Sequence, residues 1–125
     1  MSWDDKRPMS PHIQIYKMPI TAKLSVLHRG TGAALFFGLL LMIWVLVAAA
    51  SGAGSWQTMH HFLSSWLGKF ILFGFSFSLY YHLCNGVRHL IWDTGKGLSL
   101  ETAHSSARIV LIASIALTLL TWIIA

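Results

Sequence analysis

Three stretches of this chain carry no Lys, Arg, Asp or Glu: residues 30–68, 70–87 and 109–125. No other feature constrains the fold as tightly. A helix needs ~20 predominantly apolar residues, within a range of ~17–25, to cross the hydrocarbon core of a bilayer. The apolar runs at about Gly30–Ala50, Phe70–Val87 and Ile109–Ala125 each reach that range. Packing the same runs into a soluble core would require an amphipathic helix to cover them, and none is left. Nine basic and four acidic side chains in 125 residues, 55% of them apolar, are too few to coat a water-soluble enzyme. The same composition excludes a disordered tail. The net charge of +5 sits in segments that flank the apolar runs, so it does not describe a nucleic-acid surface.

The expected fold is therefore an all-α membrane protein with three transmembrane helices. The sequence divides into an N-terminal arm over 1–23, a first transmembrane helix over 24–50, a loop over 51–66, a second helix over 67–92, a connection over 93–105 and a third helix over 106–125. Pro8, Pro11 and Pro19 keep the arm from forming one continuous helix. The first apolar run begins too late and is too long for a secretory signal, so no cleavage is expected. Lys6, Arg7, Lys17, Lys23 and Arg29 precede the first span, and Arg88, Lys96 and Arg108 stand between the second and third. The loop between the first two spans has only Lys69 at its far edge. The positive-inside rule puts the N-terminus and the second connection in the cytoplasm, and the C-terminus opposite. Trp44, Trp56, Trp66, Trp92 and Trp122 fall at or near the expected helix ends, as in an interfacial aromatic belt. Cys84 stands alone, which excludes an internal disulfide and any multi-cysteine metal site.

Ionisable groups inside a span are costly and point to function. His82 is the clearest case, lying within the second span six residues before Arg88. A neutral imidazole is a good axial ligand for haem iron. It can equally bond a neighbouring helix. Gly86 and His89 follow one and two turns later on the same face. Gly86 would let a flat macrocycle approach the backbone, or let two helices pack closely. His89 offers a donor at the aqueous edge. At the start of the first span, Ser25, His28 and Arg29 share a face at spacings of three and four. They suit a quinone carbonyl or a haem propionate, or simply a snorkelling arginine with polar neighbours. Gly30 and Gly32 follow and permit tight packing. Arg88 and Asp93 are five apart and on different faces, so no direct pair is expected. His60 and His61 read as solvated loop residues, and Tyr80 and Tyr81 as packing or haem-edge residues. The third span has no histidine, so a second axial ligand would come from another chain.

Three blocks carry a resemblance. They are Arg7-Pro8-Met9-Ser10-Pro11-His12-Ile13-Gln14-Ile15-Tyr16, Ser25-Val26-Leu27-His28-Arg29-Gly30-Thr31-Gly32 and His82-Leu83-Cys84-Asn85-Gly86-Val87-Arg88-His89-Leu90-Ile91-Trp92-Asp93. In this order, on a three-span background, they resemble the cytochrome b anchor subunits of succinate dehydrogenase, respiratory complex II, in the alphaproteobacterial and mitochondrial branch. The resemblance covers essentially the whole chain. It implies half of a heterodimeric helix bundle around haem b, with His82 as this chain's axial ligand and the other ligand on a second small anchor subunit. It implies a ubiquinone site using Ser25, Val26 and Arg29, and a propionate or pocket role for His28, Arg29, Gly86 and His89. It also implies a flavoprotein subunit with FAD and an iron–sulfur subunit with its clusters, which pass electrons from succinate toward quinone. The chain alone would then be no enzyme. With no long transit peptide ahead of the first block, a bacterial inner membrane is expected rather than a mitochondrial one. The competing readings are a fumarate reductase anchor running in the opposite direction, a non-redox structural subunit, and a proton-path subunit, which would want carboxylates inside its spans.

Overall fold

The computed structural model describes residues 17–125, which form four helices: α1 (Ile20–Ala50), α2 (Ala53–Ser64), α3 (Trp66–Asp93) and α4 (Leu100–Ile124). The described residues include no strand. The first sequence block, residues 7–16, and most of the arm lie outside them. α1, α3 and α4 are each long and apolar enough to span a membrane, so the chain is an all-α membrane protein with three such helices.

Two of these helices start earlier than the sequence pattern suggests. α1 begins directly after Pro19, whose carbonyl accepts from the N–H groups of Ala22 and Lys23, both at 3.1 Å. At 31 residues it is about 46 Å long, against about 30 Å of hydrocarbon. Its first turns can therefore carry Lys23, Ser25 and Arg29 at the aqueous boundary without ending the helix. α4 begins at Leu100, where the Ser99 hydroxyl caps the Thr102 N–H at 3.3 Å. Between α3 and α4, Gly95 (φ +76°) and Gly97 (φ +71°) occupy the left-handed region that closes a helix and turns the chain.

The stretch 51–66, expected as a loop, holds α2. The cause is local. Trp56, Met59 and Leu63 recur at helical spacing, Met59 is buried, and the Phe62 ring meets Trp44 of α1 edge-on with centroids 5.6 Å apart. α2 and α3 join through one extended residue, Ser65, whose hydroxyl caps Gly68 N–H at 3.2 Å. A Cβ on Gly68 would overlap the backbone of Phe62 and Leu63, so the missing side chain is what permits the tight junction.

The bundle is apolar outside and small or polar inside. Its interior is lined by Thr31, Gly38 and Ala48 of α1, Ser78, Tyr81, Asn85 and Arg88 of α3, and Ala107, Val110, Ser114 and Thr118 of α4. Large side chains such as Phe37, Phe70, Ile112 and Ile123 face outward. This inverts a water-soluble core and is how helices associate in lipid, where small residues allow close approach. Ser78, Ser114 and Thr118 answer their own hydroxyls by donating to carbonyls four residues back, at 2.7–2.8 Å. α3 packs most extensively on α4 and then on α1, while α1 and α4 meet less.

Gly38 shows how close α1 and α3 come: a Cβ there would fall within the Phe75 ring. Gly38→Ala should destabilise the bundle by about 1–3 kcal/mol through overpacking. The check is the thermal unfolding midpoint of the detergent-solubilised assembly, which should fall with Gly38→Ala and largely recover when Phe75→Leu is added.

Candidate functional site

Side chains of α3 reach the backbones of both neighbouring helices. The Tyr81 hydroxyl is fully buried and donates to the Leu24 carbonyl of α1 at 2.7 Å. One residue on, His82 presents Nδ1 to the His28 carbonyl at 3.2 Å. The Thr31 hydroxyl lies 3.4 Å from the same nitrogen and donates to the same carbonyl at 3.0 Å. The His28 ring stacks on the His82 ring, with centroids 4.0 Å apart and planes 8° from parallel. His89 lies on the far side of His28, its centroid 5.4 Å away and its plane tilted by 43°. The sequence-selected histidines thus form one cluster where α1 begins and α3 ends.

The tautomer of His82 follows from these contacts. A carbonyl oxygen only accepts, so the 3.2 Å contact is favourable only with the proton on Nδ1. The Nε2 lone pair is then available to a metal, as in most metal-ligating histidines whose other nitrogen is anchored. Nε2 has no hydrogen-bond partner among the described residues. His28 cannot oppose His82 across an iron, because their rings lie face to face. Among the described residues, no group of three or more His, Cys, Asp or Glu side chains could hold a metal ion.

The other sequence-selected residues surround this cluster. Ser25, Val26, Arg29 and His89 are exposed, while His28, His82 and Gly86 are half-buried. A Cβ on Gly86 would meet nothing within 4 Å, so the backbone is bare there. A Cβ on Gly32, by contrast, would stand 3.1 Å from His82 Cε1. His28 Nδ1 is buried and has no hydrogen-bond partner among the described residues. The donor set fits a haem with one axial ligand from this chain: a free Nε2 on an anchored imidazole, a bare glycine one turn on and an unanswered imidazole nitrogen beside them. His60 and His61 lie on α2, with Trp56 stacked on His60 at 6.4 Å.

Arg88 is the residue whose role sequence reasoning missed. Counted among the charges flanking the spans, it is instead 5% exposed. Its Nε donates to Ser106 at 2.9 Å and one terminal nitrogen donates to the Ala103 carbonyl at 2.8 Å, both on α4. The other terminal nitrogen donates to Asn85 Oδ1 at 3.3 Å. The guanidinium stacks over Trp92 at 4.0 Å, and Trp92 Nε1 donates to the Gly97 carbonyl at 3.1 Å. Asp93 takes no part in this network. A signal was available: Tyr81, Asn85 and Arg88 repeat at four and three, and that stripe is the inner face of α3. Of the two tyrosines, Tyr80 meets Thr121 at 2.7 Å and Tyr81 bonds α1, so both read as packing groups.

Comparison with known proteins adds the family. Residues 4–121 match the family described as Succinate dehydrogenase/Fumarate reductase transmembrane subunit. The chain is 43% identical to the succinate dehydrogenase cytochrome b556 subunit of Paracoccus denitrificans over 94% of its own length and 91% of the relative. It is also 43% identical to that subunit of Rickettsia prowazekii, over 95% and 93%. The mitochondrial cytochrome b560 subunit of Bos taurus is 40% identical, over 87% of this chain and 66% of the relative.

The Arg88 network carries its own expectation. Arg88→Met should destabilise the assembly by at least about 1.5–3 kcal/mol, the range for one hydrogen bond to a charged group. Arg88→Lys should rescue little of this, because an ammonium lacks the planar fork and the stack. Full rescue by lysine in thermal unfolding would reduce the role of Arg88 to its charge.

Proposed function

The chain belongs to the succinate dehydrogenase/fumarate reductase transmembrane-subunit family, as a cytochrome b subunit of the alphaproteobacterial and mitochondrial type, and from that premise we propose that it helps to bind haem b and ubiquinone in a succinate:ubiquinone oxidoreductase. A single observation carries the reading: His82 is anchored through Nδ1 to the α1 backbone, within the same helix ends that expose Ser25 and Arg29.

The proposed parts divide by residue. His82 offers Nε2 to the iron. When bound, haem b supplies a one-electron carrier between helices. A second ligand would come from a second small anchor subunit, since His28 is stacked on His82 and α4 has no histidine deep in the membrane. His28 Nδ1, Arg29 and His89 offer donors to the propionates, and Gly86 leaves room for a flat ring. Ser25 and Arg29 are exposed one turn apart on α1. They present a hydroxyl and a permanent cation to a quinone carbonyl, with Val26 forming an apolar wall beside them. Charge-assisted bonds of this kind hold and polarise a carbonyl as it gains electrons. The remaining walls of the quinone site belong to the iron–sulfur subunit and the second anchor subunit, and the flavin and the clusters to the flavoprotein and iron–sulfur subunits.

We orient the chain in a bacterial inner membrane with α1 starting and α3 ending at the cytoplasmic face. Arg29, Lys96 and Arg108 all fall at that end, and the 51–66 connection carries no Lys or Arg. A soluble electron donor docked on that face would meet the quinone groups first.

Two measurements test the reading. The assembly purified in mild detergent should show a low-spin b-type spectrum that succinate at least partly reduces, and His82→Ala should abolish it. No haem signal in an intact wild-type assembly would remove the ligand assignment. Arg29→Ala should lower kcat/KM for ubiquinone roughly 10- to 100-fold, the equivalent of one lost charge-assisted bond. Succinate oxidation by an artificial acceptor should be spared, and normal quinone kinetics in that variant would overturn the quinone assignment.

A further inference from the structure

We propose that Thr31 and Gly32 are positioning residues for the His82 imidazole: the Thr31 hydroxyl sets how its Nδ1 proton is shared, and the missing side chain at Gly32 sets the angle of the ring. The inference rests on His82 being the haem ligand.

The argument starts from the number of donors at one carbonyl. In a helix the His28 carbonyl takes the N–H of the residue four ahead, Gly32. Thr31 Oγ1 donates to the same oxygen at 3.0 Å, and His82 Nδ1 reaches it at 3.2 Å. Three donors compete for two lone pairs. The Thr31 oxygen, 3.4 Å from Nδ1, supplies the missing acceptor capacity. Its own proton is committed to the carbonyl, so its lone pairs face the imidazole. The Nδ1 proton is then shared between the carbonyl and the hydroxyl. Thr31 is 4% exposed, so no lipid headgroup or water replaces it easily.

Sharing that proton has an electronic consequence. A stronger acceptor at Nδ1 makes Nε2 a better electron donor to a bound metal. Electron donation favours the oxidised iron, so the way Thr31 divides the Nδ1 proton between carbonyl and hydroxyl sets the potential of the couple.

Gly32 acts through shape. The His82 ring stacks on the His28 ring at 4.0 Å, and its Cε1–Nδ1 edge approaches the bare backbone of Gly32. A Cβ there would sit 3.1 Å from Cε1 and 3.6 Å from Nδ1. That is closer than a comfortable carbon–carbon contact of ~3.5–4.0 Å. The ring could yield only by turning or shifting away from α1.

The test uses the whole assembly with three variants, His82→Ala beside them as control. Thr31→Val removes the hydroxyl at nearly constant volume. It should keep haem content and shift the haem midpoint potential by up to about tenfold in the redox equilibrium constant, about 59 mV for one electron. Thr31→Ser should restore the wild-type potential. Gly32→Ala should move the low-spin ferric EPR signal, which responds to the angle between the two axial ring planes. A Thr31→Val assembly with full haem and an unchanged potential would overturn the role of Thr31. An unchanged EPR signal in Gly32→Ala would overturn the role of Gly32. Haem retained in His82→Ala would instead overturn the ligand reading beneath both.

Discussion

Hydrocarbon offers no partner for a polar group, so the donors buried between these helices are answered inside the protein. Three residues of α3 answer this requirement in the same way. Tyr81 donates to the Leu24 carbonyl, His82 to the His28 carbonyl and Arg88 to the Ala103 carbonyl. Each acceptor is a backbone oxygen on a neighbouring helix, already within a helical hydrogen-bond ladder. A carbonyl has two lone pairs, and the helix uses one. The bundle is joined at one end by the second. α3 is thus the element from which α1 and α4 are both held in register, and the histidine cluster is built at the height where that holding occurs.

The site on this chain is open on one side. His28, His82 and His89 are brought together, yet Ser25, Val26, Arg29 and His89 remain exposed on the outer surface. The large apolar groups around them face outward as well. That arrangement is sensible for a chain whose relatives are subunits of a larger assembly. The buried interior holds the three helices together, and the chemistry-bearing groups stand on an outer face.

The spans, their number and the two histidine-bearing helix faces could be read from sequence because each rests on a local regularity. Charge-free runs of ~20 residues have one physical solution in lipid. Spacings of three, four and seven placed Ser25, His28 and Arg29 on one face and His82, Gly86 and His89 on another. The contact between those two faces was not legible, since nothing local says that His28 stacks on His82. α2 was missed because twelve residues with a weak apolar stripe resemble a loop until Trp44 and Gly68 are in place. Arg88 was read by its charge, and its burial depended on Ser106 and Ala103, eighteen and fifteen residues away. Thr31 drew no attention because a threonine in an apolar helix usually bonds its own backbone. Here it does that and also faces an imidazole from another helix.

The length of α1 has a consequence for the membrane itself. One straight helix of 31 residues carries both the apolar anchor and, in its first three turns, Ser25, His28 and Arg29. The depth of those groups is therefore tied to how the anchor settles in the bilayer. A thinner membrane makes the apolar stretch overlong, and a helix relieves that mismatch by tilting. His28 resists, because it is stacked against α3. Beyond Ala34 the described residues show apolar contacts instead of a polar tie, with Gly38 against Phe75 of α3 and Trp44 against Phe62 of α2. Changes in lipid thickness would thus be taken up at these apolar contacts before the stacked histidine end gives way.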